Sequence, residues 1–370
     1  MPTVAVLGAG VVGLTTAVKI LEAGYDVVVI AQFFPGDPRD IRYTSNFAGA
    51  NHSSMAGDDK RQFKLDMDTF EVVWKMSEPD SPTANLFMRT PIIHYFHEPM
   101  EKPDPLAGVM PEYRNLRPDE LRVGATSGTY FMSVTFDVWR YLPWLYSQVL
   151  LKGGRVVRAQ VQHINQVLEG AFCEKPDALV ICAGIGARTL GGVEDENVFP
   201  IRGQTVLIHA PWIKSCMGAK HLPGVTSYVI PRPCGDVILG GTWLYDDWYP
   251  KPREETHDSI LEGAIKLVPE LAPPEVFASG RTPTAEDLKP LIVEAGCGLR
   301  PGRKGGVRLE RDTVEVPNAG GKKVPIVFNY GHGGQGYQSS WGSAMEAVRL
   351  LKEGISFVVM NEVDGLKISE

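Results

Sequence analysis

The chain has 370 residues, of which 44% are hydrophobic and 22% charged, a composition typical of globular proteins, and its length predicts two domains. Its 37 basic and 44 acidic side chains give a net charge of −7, which argues against nucleic acid or an anionic membrane surface as a partner. No apolar run has the length of a membrane span, the first residues predict a strand rather than a secretory signal, and the five scattered cysteines form no metal or disulfide pattern.

A glycine pattern lies near the N-terminus, at the junction of a predicted strand and a predicted helix. An apolar run at residues 4–7 meets Gly8, Gly10 and Gly13, and a second apolar run follows at 27–30. Gly8 permits a tight turn, Gly10 lets the backbone approach a pyrophosphate, and Gly13 allows close helix–strand packing. The pattern predicts a β-α-β unit that binds a dinucleotide at the helix N-terminus, with a purely structural glycine turn as the alternative.

The following hundred residues predict one helix among loops. Small and polar residues at 44–54 favour either a segment that passes close to a ligand or a plain surface loop. Apolar spacing predicts an amphipathic helix at 61–76, whereas proline and charge at 79–120 predict loops with short strands.

The middle of the chain returns to alternating helices and strands. A helix is predicted at 138–151 and strands at 155–161 and 178–182, the second of which leads into a small-residue turn at 183–187. This turn is either a later part of the dinucleotide-binding sheet or a bare packing turn.

The second half predicts antiparallel sheet and then a second strand–glycine turn–helix unit. Strands joined by turns without intervening helices are predicted at 205–209, 227–231 and 236–240. A helix is expected at 256–268, followed by a strand at 324–329, a glycine run at 331–336 and a helix at 340–351. The glycine run places a second helix N-terminus near the ligand or, alternatively, serves tight helix packing.

Several segments, in the same order along the chain, resemble the D-amino-acid oxidase family, which includes D-aspartate oxidases and uses FAD. The most specific are Pro-Ile-Arg-Gly-Gln-Thr at 200–205 and Gly-Leu-Arg-Pro at 298–301. The remaining segments lie at 8–14, 44–51, 228–232, 240–242 and 329–338. The chain is most similar to the fungal members, in which Tyr-Gln follows the C-terminal glycine run.

The resemblance implies an α/β fold with two domains. The first is a Rossmann-like, glutathione-reductase-like FAD-binding domain, and the second is a mostly antiparallel β substrate domain. The expected FAD-binding segments are 1–50, 140–204 and 295–370, and the expected substrate-binding segments are 51–139 and 205–294.

The resemblance also implies oxidative deamination of D-amino acids to 2-oxo acids, ammonia and hydrogen peroxide, by hydride transfer to flavin N5 and reoxidation by dioxygen. Arg300 is expected to bind the substrate carboxylate, because a guanidinium offers two parallel donors; a structural ion pair is the alternative. Tyr228 is expected to hydrogen-bond the same carboxylate, with a core aromatic role as the alternative. Gln338, or the backbone around Gln335 and Gly336, matches the region that contacts the substrate amino group and the flavin carbonyl. No strong general base is evident, which fits direct hydride transfer.

The residues that the resemblance assigns to the cofactor come from all parts of the chain. They are Gly8, Gly10, Val11, Val12, Gly13, Gln32, Thr44, Ser45, Gly49, Ala50, Asn51, Val161, Ala183, Gly184, Gly333, Gly334, Gln335, Gly336, Tyr337 and Gln338. Gln32 stands where a ribose-binding acid is usual, which lowers the expectation for NAD.

Three further residues are assigned to the pocket for the substrate side chain: Trp243, His52 and Met217. Trp243 stands where D-aspartate oxidases tend to carry arginine, so neutral or apolar D-amino acids are favoured. A protonated His52 over the site would favour acidic substrates instead, which leaves D-aspartate oxidase as the alternative function. The structural alternative for His52 is a loop histidine that is exposed to solvent.

Two other functions remain open at this stage: a nicotinamide-dependent dehydrogenase with the same fingerprint, and a nucleotide-binding protein without redox activity. The resemblance implies a peroxisomal enzyme and leaves a homodimer open. The chain ends Lys-Ile-Ser-Glu, which is no peroxisomal tripeptide, so a cytoplasmic location is the other expectation.

Overall fold

The computed structural model describes residues 1–98, 103–122, 124–222, 225–316 and 319–367, and these contain two β-sheets with α-helices packed on them. The strands are β1 (Thr3–Leu7), β2 (Asp26–Ala31), β3 (Phe87–Phe96), β4 (Arg114–Asn115), β5 (Ser127–Phe136), β6 (Arg155–Arg158), β7 (Ala178–Ile181), β8 (Val198–His209), β9 (Cys216–Leu222), β10 (Val225–Pro231), β11 (Asp236–Thr242), β12 (Leu244–Tyr245), β13 (Ile292–Arg303), β14 (Arg308–Glu315) and β15 (Lys323–Tyr330). The α-helices are α1 (Val11–Glu22), α2 (Lys60–Met76), α3 (Val138–Leu151), α4 (Ile164–Leu168), α5 (Glu254–Leu267), α6 (Pro274–Ala278) and α7 (Gly336–Lys367).

The first sheet has six strands in the order β14-β15-β7-β1-β2-β6. All its pairs are parallel except β14 with β15. Side chains of β1 alternate between two buried clusters: Val4 and Val6 pack with α1, α3 and α7, and Ala5 and Leu7 pack with α4 on the other face. Burial on both faces explains why the strands of this sheet are continuous apolar runs.

The second sheet has nine strands, in the order β12-β8-β11-β10-β9-β3-β5-β4, with β13 paired along β8. Its pairs are antiparallel except β3 with β9. Helix α5 covers one face, where Val206, Val229 and Leu239 join its apolar residues in one core cluster. The other face is turned toward the first sheet.

The observed elements confirm most of the predicted ones and correct several. Helix α3 has the predicted bounds, but β6 ends at Arg158, β8 begins seven residues early at Val198, and α7 starts at Gly336. The region 79–120, predicted to form loops with short strands, contains the ten-residue strand β3, which pairs with β5 and β9 and whose residues 92–96 are apolar or aromatic except for His94.

The predicted domain boundaries at 204 and 295 fall within β8 and β13, which pair with each other. Residues 368–370, at the end of the chain, lie outside the described residues. The prediction about a C-terminal peroxisomal tripeptide concerns these residues. Within the described part of the chain, no helix is both long and apolar enough to cross a membrane.

Candidate active site

A cavity of about 1290 Å³ lies between the two sheets. Its walls come from the carboxyl ends of β1 and β2, the 43–51 segment, the face of the second sheet and the glycine run before α7. The carboxyl ends of parallel strands are where ligands bind in α/β proteins. The volume exceeds the roughly 300–1,000 Å³ of sites for drug-sized ligands, so the cavity accommodates a dinucleotide together with a small substrate.

The turn between β1 and α1 allows no side chain at two of its glycines. Gly8 has φ +110°, and a Cβ there would lie 2.3 Å from the Cys182 carbonyl oxygen. A Cβ on Gly13 would lie 2.0 Å from the Gly8 carbonyl oxygen. The glycines therefore let β1, α1 and the end of β7 pack closely at the cavity, as in the strand–turn–helix units that bind a pyrophosphate at the helix N-terminus, and Ser45 Oγ lies 3.0 Å from where a Gly10 Cβ would be.

The 43–51 segment is fastened over this turn by four hydrogen bonds. The Tyr43 hydroxyl donates to the Ala9 carbonyl at 2.7 Å, and the Val11 N–H donates to Ser45 Oγ at 3.0 Å. The Tyr337 hydroxyl donates to the Ser45 carbonyl at 2.8 Å, and the Thr44 hydroxyl donates to the carbonyl of residue 299. The small residues predicted either to approach a ligand or to form a surface loop therefore form a fixed wall of the cavity.

The Arg300 side chain is held flat between a glycine and an aromatic ring. A Cβ on Gly203 would lie 2.2 Å from Arg300 Nη1, so the guanidinium covers that glycine. Its other side stacks on Trp243, with the guanidinium carbon 4.5 Å from the ring centroid. Nη1 donates to the Thr242 carbonyl at 2.9 Å, and the residue lines the cavity. This contact uses Nη1 and fixes the orientation of the planar group.

Tyr228 lies beside Arg300 on the same cavity wall. Its ring lies directly over Gly240 and Gly241: a Cβ on Gly240 would be 1.9 Å from Tyr228 Cζ, and one on Gly241 would be 2.7 Å from the hydroxyl oxygen. Burial raises the pKa of the Tyr228 hydroxyl above its usual value, against the opposing effect of the Arg300 charge. The phenol therefore keeps its proton at neutral pH and can donate it to an anionic group.

Three buried polar atoms on residues of the cavity wall have no hydrogen-bond partner among the described residues: Gln338 Nε2, His332 Nε2 and Asn329 Oδ1. Gln338 is oriented through its other end, because Oε1 accepts from the Ser53 N–H at 3.4 Å. Burial lowers the pKa of His332 to about 4, so its imidazole is neutral. Buried polar atoms rarely remain unpaired, so these three fit a polar ligand in the cavity.

The structure brings most predicted site residues to this one cavity. Those that line it are Gly8, Gly10, Val11, Val12, Gly13, Gln32, Thr44, Ser45, Gly49, Ala50, Asn51, Val161, Ala183, Gly184, Met217, Tyr228, Trp243, Arg300, Gly333, Gly334, Gly336, Tyr337 and Gln338. Gln335 is not among the lining residues. Met217 lines the cavity as predicted and also packs against the α5-side cluster, on the face of the sheet that its partner Val229 occupies.

His52 corrects the prediction most clearly. It is fully buried outside the cavity, packs against the Phe70 ring, and donates from Nε2 to the Asp66 carbonyl at 2.9 Å. Burial lowers its pKa to about 4, so it is neither a protonated group over the site nor a loop histidine in solvent. The sequence does not show this environment, because α2 and the neighbouring strand bury the residue only in the folded chain.

Two histidines of the cavity wall were not predicted as site residues. His332 lies inside the glycine run at 331–336, and its position between two glycines indicates a residue close to the ligand. His94 lies in β3, within the region predicted to form loops with short strands, and nothing in its local sequence marks it as a site residue.

Asp66 is a buried carboxyl group directly behind the cavity wall. It accepts hydrogen bonds from Ser54 Oγ and Gln62 Nε2, both at 2.7 Å, and Ser54 lines the cavity. Burial raises the pKa of Asp66 to about 7, although both hydrogen bonds lower it. Asp66 therefore keeps its proton in the folded state over a pH range in which the unfolded chain has lost it.

Replacing Asp66 by asparagine is expected to change the free energy of unfolding, relative to the parent protein, more favourably at high pH than at low pH. The raised pKa makes the parent protein lose stability as pH rises from about 4 to about 7, by at most roughly 4 kcal/mol for a shift of about three units. The difference in free energy of unfolding between variant and parent should therefore grow over this range and level off above it. Urea unfolding at several pH values measures it, with Asp68→Asn, which pairs with Lys64 on the same helix, as the control. A difference that is constant with pH contradicts the expectation.

Comparison with known sequences gives one family over most of the chain. Residues 3–350 match the family described as DAO, FAD dependent oxidoreductase. The chain is 35% identical to D-aspartate oxidase of Cryptococcus neoformans var. grubii, covering 94% of this chain and 96% of that protein. It is 32% identical to D-amino-acid oxidase of Fusarium vanettenii over 94% of this chain and 96% of that protein.

Solved structures show the same fold at low sequence identity. Glycine oxidase from Geobacillus kaustophilus has a TM-score of 0.70 and 16% identity, covering 95% of each chain. L-proline dehydrogenase from P. horikoshii has a TM-score of 0.70 and 15% identity, covering 95% of this chain and 94% of that one.

Proposed function

Because this chain belongs to the DAO family of FAD-dependent oxidoreductases, we propose that it oxidises D-amino acids with dioxygen, yielding 2-oxo acids, ammonia and hydrogen peroxide. The observation that carries the proposal is the pair Arg300 and Tyr228, side by side on the cavity wall. A fixed guanidinium and a protonated phenol are donors suited to a carboxylate.

The residues of the first sheet suit the cofactor. The N–H groups after Gly8 would hold the pyrophosphate, Gln32 at the end of β2 would face a ribose hydroxyl, and the 43–51 segment would cover the ligand. FAD, when bound, supplies the two-electron acceptor that dioxygen regenerates. The closely packed glycine turn of β1 and the unpaired Gln338, His332 and Asn329 atoms are the features of this chain that fit such a ligand.

The protein groups near Arg300 bind and orient the substrate. Arg300 would take the α-carboxylate through its guanidinium, with Trp243 fixing the plane of that group from behind. Tyr228 would donate its hydroxyl proton to the same carboxylate. Gln338, held by Ser53, would contact the amino group through its amide. Together these contacts fix the α-carbon of a small amino acid in one orientation, which is the main source of rate when no base is required.

The position of Trp243 changes what it indicates about the substrate. Its ring packs on Arg300 and against Gly334, where a Cβ would lie 2.4 Å from the ring. Trp243 therefore supports the carboxylate contact and gives little information on the substrate side chain. Apolar and acidic D-amino acids both remain within the proposed function, and the similarity to an enzyme named D-aspartate oxidase supports the second.

A peroxide-coupled screen of D- and L-amino acids tests the proposal. The purified protein should be yellow and should release peroxide with several D-amino acids and with none of their L-enantiomers. Protein that carries flavin but yields no peroxide from any D-amino acid, or equal peroxide from both enantiomers, would overturn the proposal.

We also propose the domain division 1–50, 140–204 and 295–370 for FAD and 51–139 and 205–294 for substrate, and a peroxisomal location. The two-sheet architecture supports the domain division, and its boundaries at 204 and 295 lie inside the paired strands β8 and β13. The family resemblance alone supports the peroxisomal location. Imaging of a tagged chain beside a peroxisomal marker tests the location.

A further inference from the structure

Three strands of the second sheet place Tyr228, Gly218 and His94 in one row. Tyr228 of β10 pairs with Gly218 of β9, and Gly218 pairs with His94 of β3. Directly paired residues of neighbouring strands point to the same face of a sheet. All three residues line the cavity.

Gly218 leaves an open floor between its two neighbours. The Tyr228 ring leans away from it, over Gly240 and Gly241. A Cβ on Gly218 would lie 3.7 Å from His94 Cδ2 and 3.9 Å from Tyr228 Cβ, which are ordinary contacts. The imidazole of His94 therefore borders the floor opposite the carboxylate-binding end.

We propose that the floor over Gly218 receives the substrate side chain and that His94 selects side chains with a hydrogen-bonding oxygen, as in D-aspartate and D-asparagine, over apolar side chains of the same shape. The inference rests on the proposed function and adds the substrate class to it. His94 is thus a specificity-determining residue, and Arg300 and Tyr228 bind the group common to all substrates.

The floor lies beyond Tyr228 as seen from the carboxylate-binding end. The Tyr228 hydroxyl lies over Gly240 and Gly241 of β11, and Gly218 of β9 pairs with the other edge of β10, so a substrate side chain reaches the floor by extending across β10. Two aromatic rings lie beside the imidazole of His94: the Phe131 ring centroid is 5.6 Å away and that of Phe96 is 6.4 Å away.

Two acidic residues of the cavity would favour a substrate whose side chain is positively charged. Asp58 and Asp104 also line it, and Asp104 already accepts a hydrogen bond from the Leu106 N–H at 2.9 Å. A cationic D-amino acid such as D-lysine is the substrate that these carboxylates would select. The two kinds of substrate are distinguished by variants: His94→Leu should change the specificity for side chains with a hydrogen-bonding oxygen, and Asp104→Asn should change that for cationic side chains.

The test compares D-asparagine with D-leucine, which have the same branched outline but differ in polarity. His94→Leu is expected to lower the ratio of kcat/KM for D-asparagine to that for D-leucine by about 10- to 100-fold, since a site built for a hydrogen bond discriminates strongly. His94→Gln should retain part of the preference. His209→Leu, which removes an exposed histidine paired with Asp236, should leave the ratio unchanged.

Gly218→Val tests the place of the side chain separately. It should fill the floor and lower kcat/KM for both branched substrates relative to D-alanine by about 10-fold or more, because overpacking displaces the ligand. Thermal stabilisation by succinate, compared with 4-methylpentanoate, gives a readout without turnover; succinate should stabilise the parent protein more, and His94→Leu should abolish the difference.

An unchanged D-asparagine to D-leucine ratio in His94→Leu would overturn the inference. A preference for D-lysine that disappears in Asp104→Asn would overturn it as well. Failure of the proposed function is distinct from both, because the parent protein would then give no peroxide with any D-amino acid.

Discussion

Arg300→Ala is expected to lower kcat/KM for every D-amino acid by about 10²- to 10⁴-fold while leaving the flavin content unchanged. The variant removes two charge-assisted hydrogen bonds to the carboxylate, each contributing about 1.5–3 kcal/mol, and about 1.4 kcal/mol corresponds to a factor of ten. Flavin binding should survive, because Arg300 contacts Thr242 and Trp243 rather than the glycine turn of β1. Steady-state kinetics and the absorption spectrum of the purified protein measure the two effects.

Arg300→Lys and Arg117→Ala complete the comparison. Lysine keeps the charge but loses the planar pair of donors, so it should restore only a minor part of the activity. Arg117 lies at the surface in an ion pair with Asp119, and its replacement should change nothing. Loss of flavin from Arg300→Ala would show that Arg300 is structural and would refute its assignment to the carboxylate.

Gly13→Ala is expected to weaken FAD binding by about 100-fold or to prevent accumulation of soluble protein. The new Cβ would lie 2.0 Å from the Gly8 carbonyl oxygen, so α1 must move away from the turn. Strain of this kind costs about 3 kcal/mol or more, and both groups involved belong to the backbone and cannot rotate away. The ratio of flavin to protein after purification, and titration of the apoprotein with FAD, measure the loss.

Gly186→Ala is the matched control. This glycine also lines the cavity, but a Cβ there meets only the Ala183 Cβ at 3.9 Å. The variant should bind FAD like the parent. Equal flavin content in Gly13→Ala and Gly186→Ala would show that the β1–α1 turn does not form the cofactor site.

The two sites of the cavity differ in how far the sequence could predict them. The dinucleotide end depends on neighbours in the chain: apolar β1, the glycines and α1 lie within one β-α-β unit, and their order was enough. The proposed substrate end depends on residues that are far apart in the chain, among them His94, Tyr228, Trp243, Arg300 and Gln338. Arg300 and Tyr228 could be proposed only through the family resemblance, because their sequence context alone leaves a structural ion pair or a core aromatic equally open.

The errors have the same origin. His52 was expected at the side-chain pocket, yet burial under α2 sets both its position and its lowered pKa. His94 belongs to no motif that marks a site residue, and its place on the cavity wall follows from the pairing of β3 with β5 and β9.

The sequence by itself therefore determined the strand–glycine turn–helix unit at the N-terminus and the order of most helices and strands, since short-range sterics and apolar periodicity are local properties. Only the tertiary structure decided which side chains face the cavity. Strand register sets that choice, because a shift of one residue turns every side chain to the opposite face, and register is fixed by pairing between distant segments.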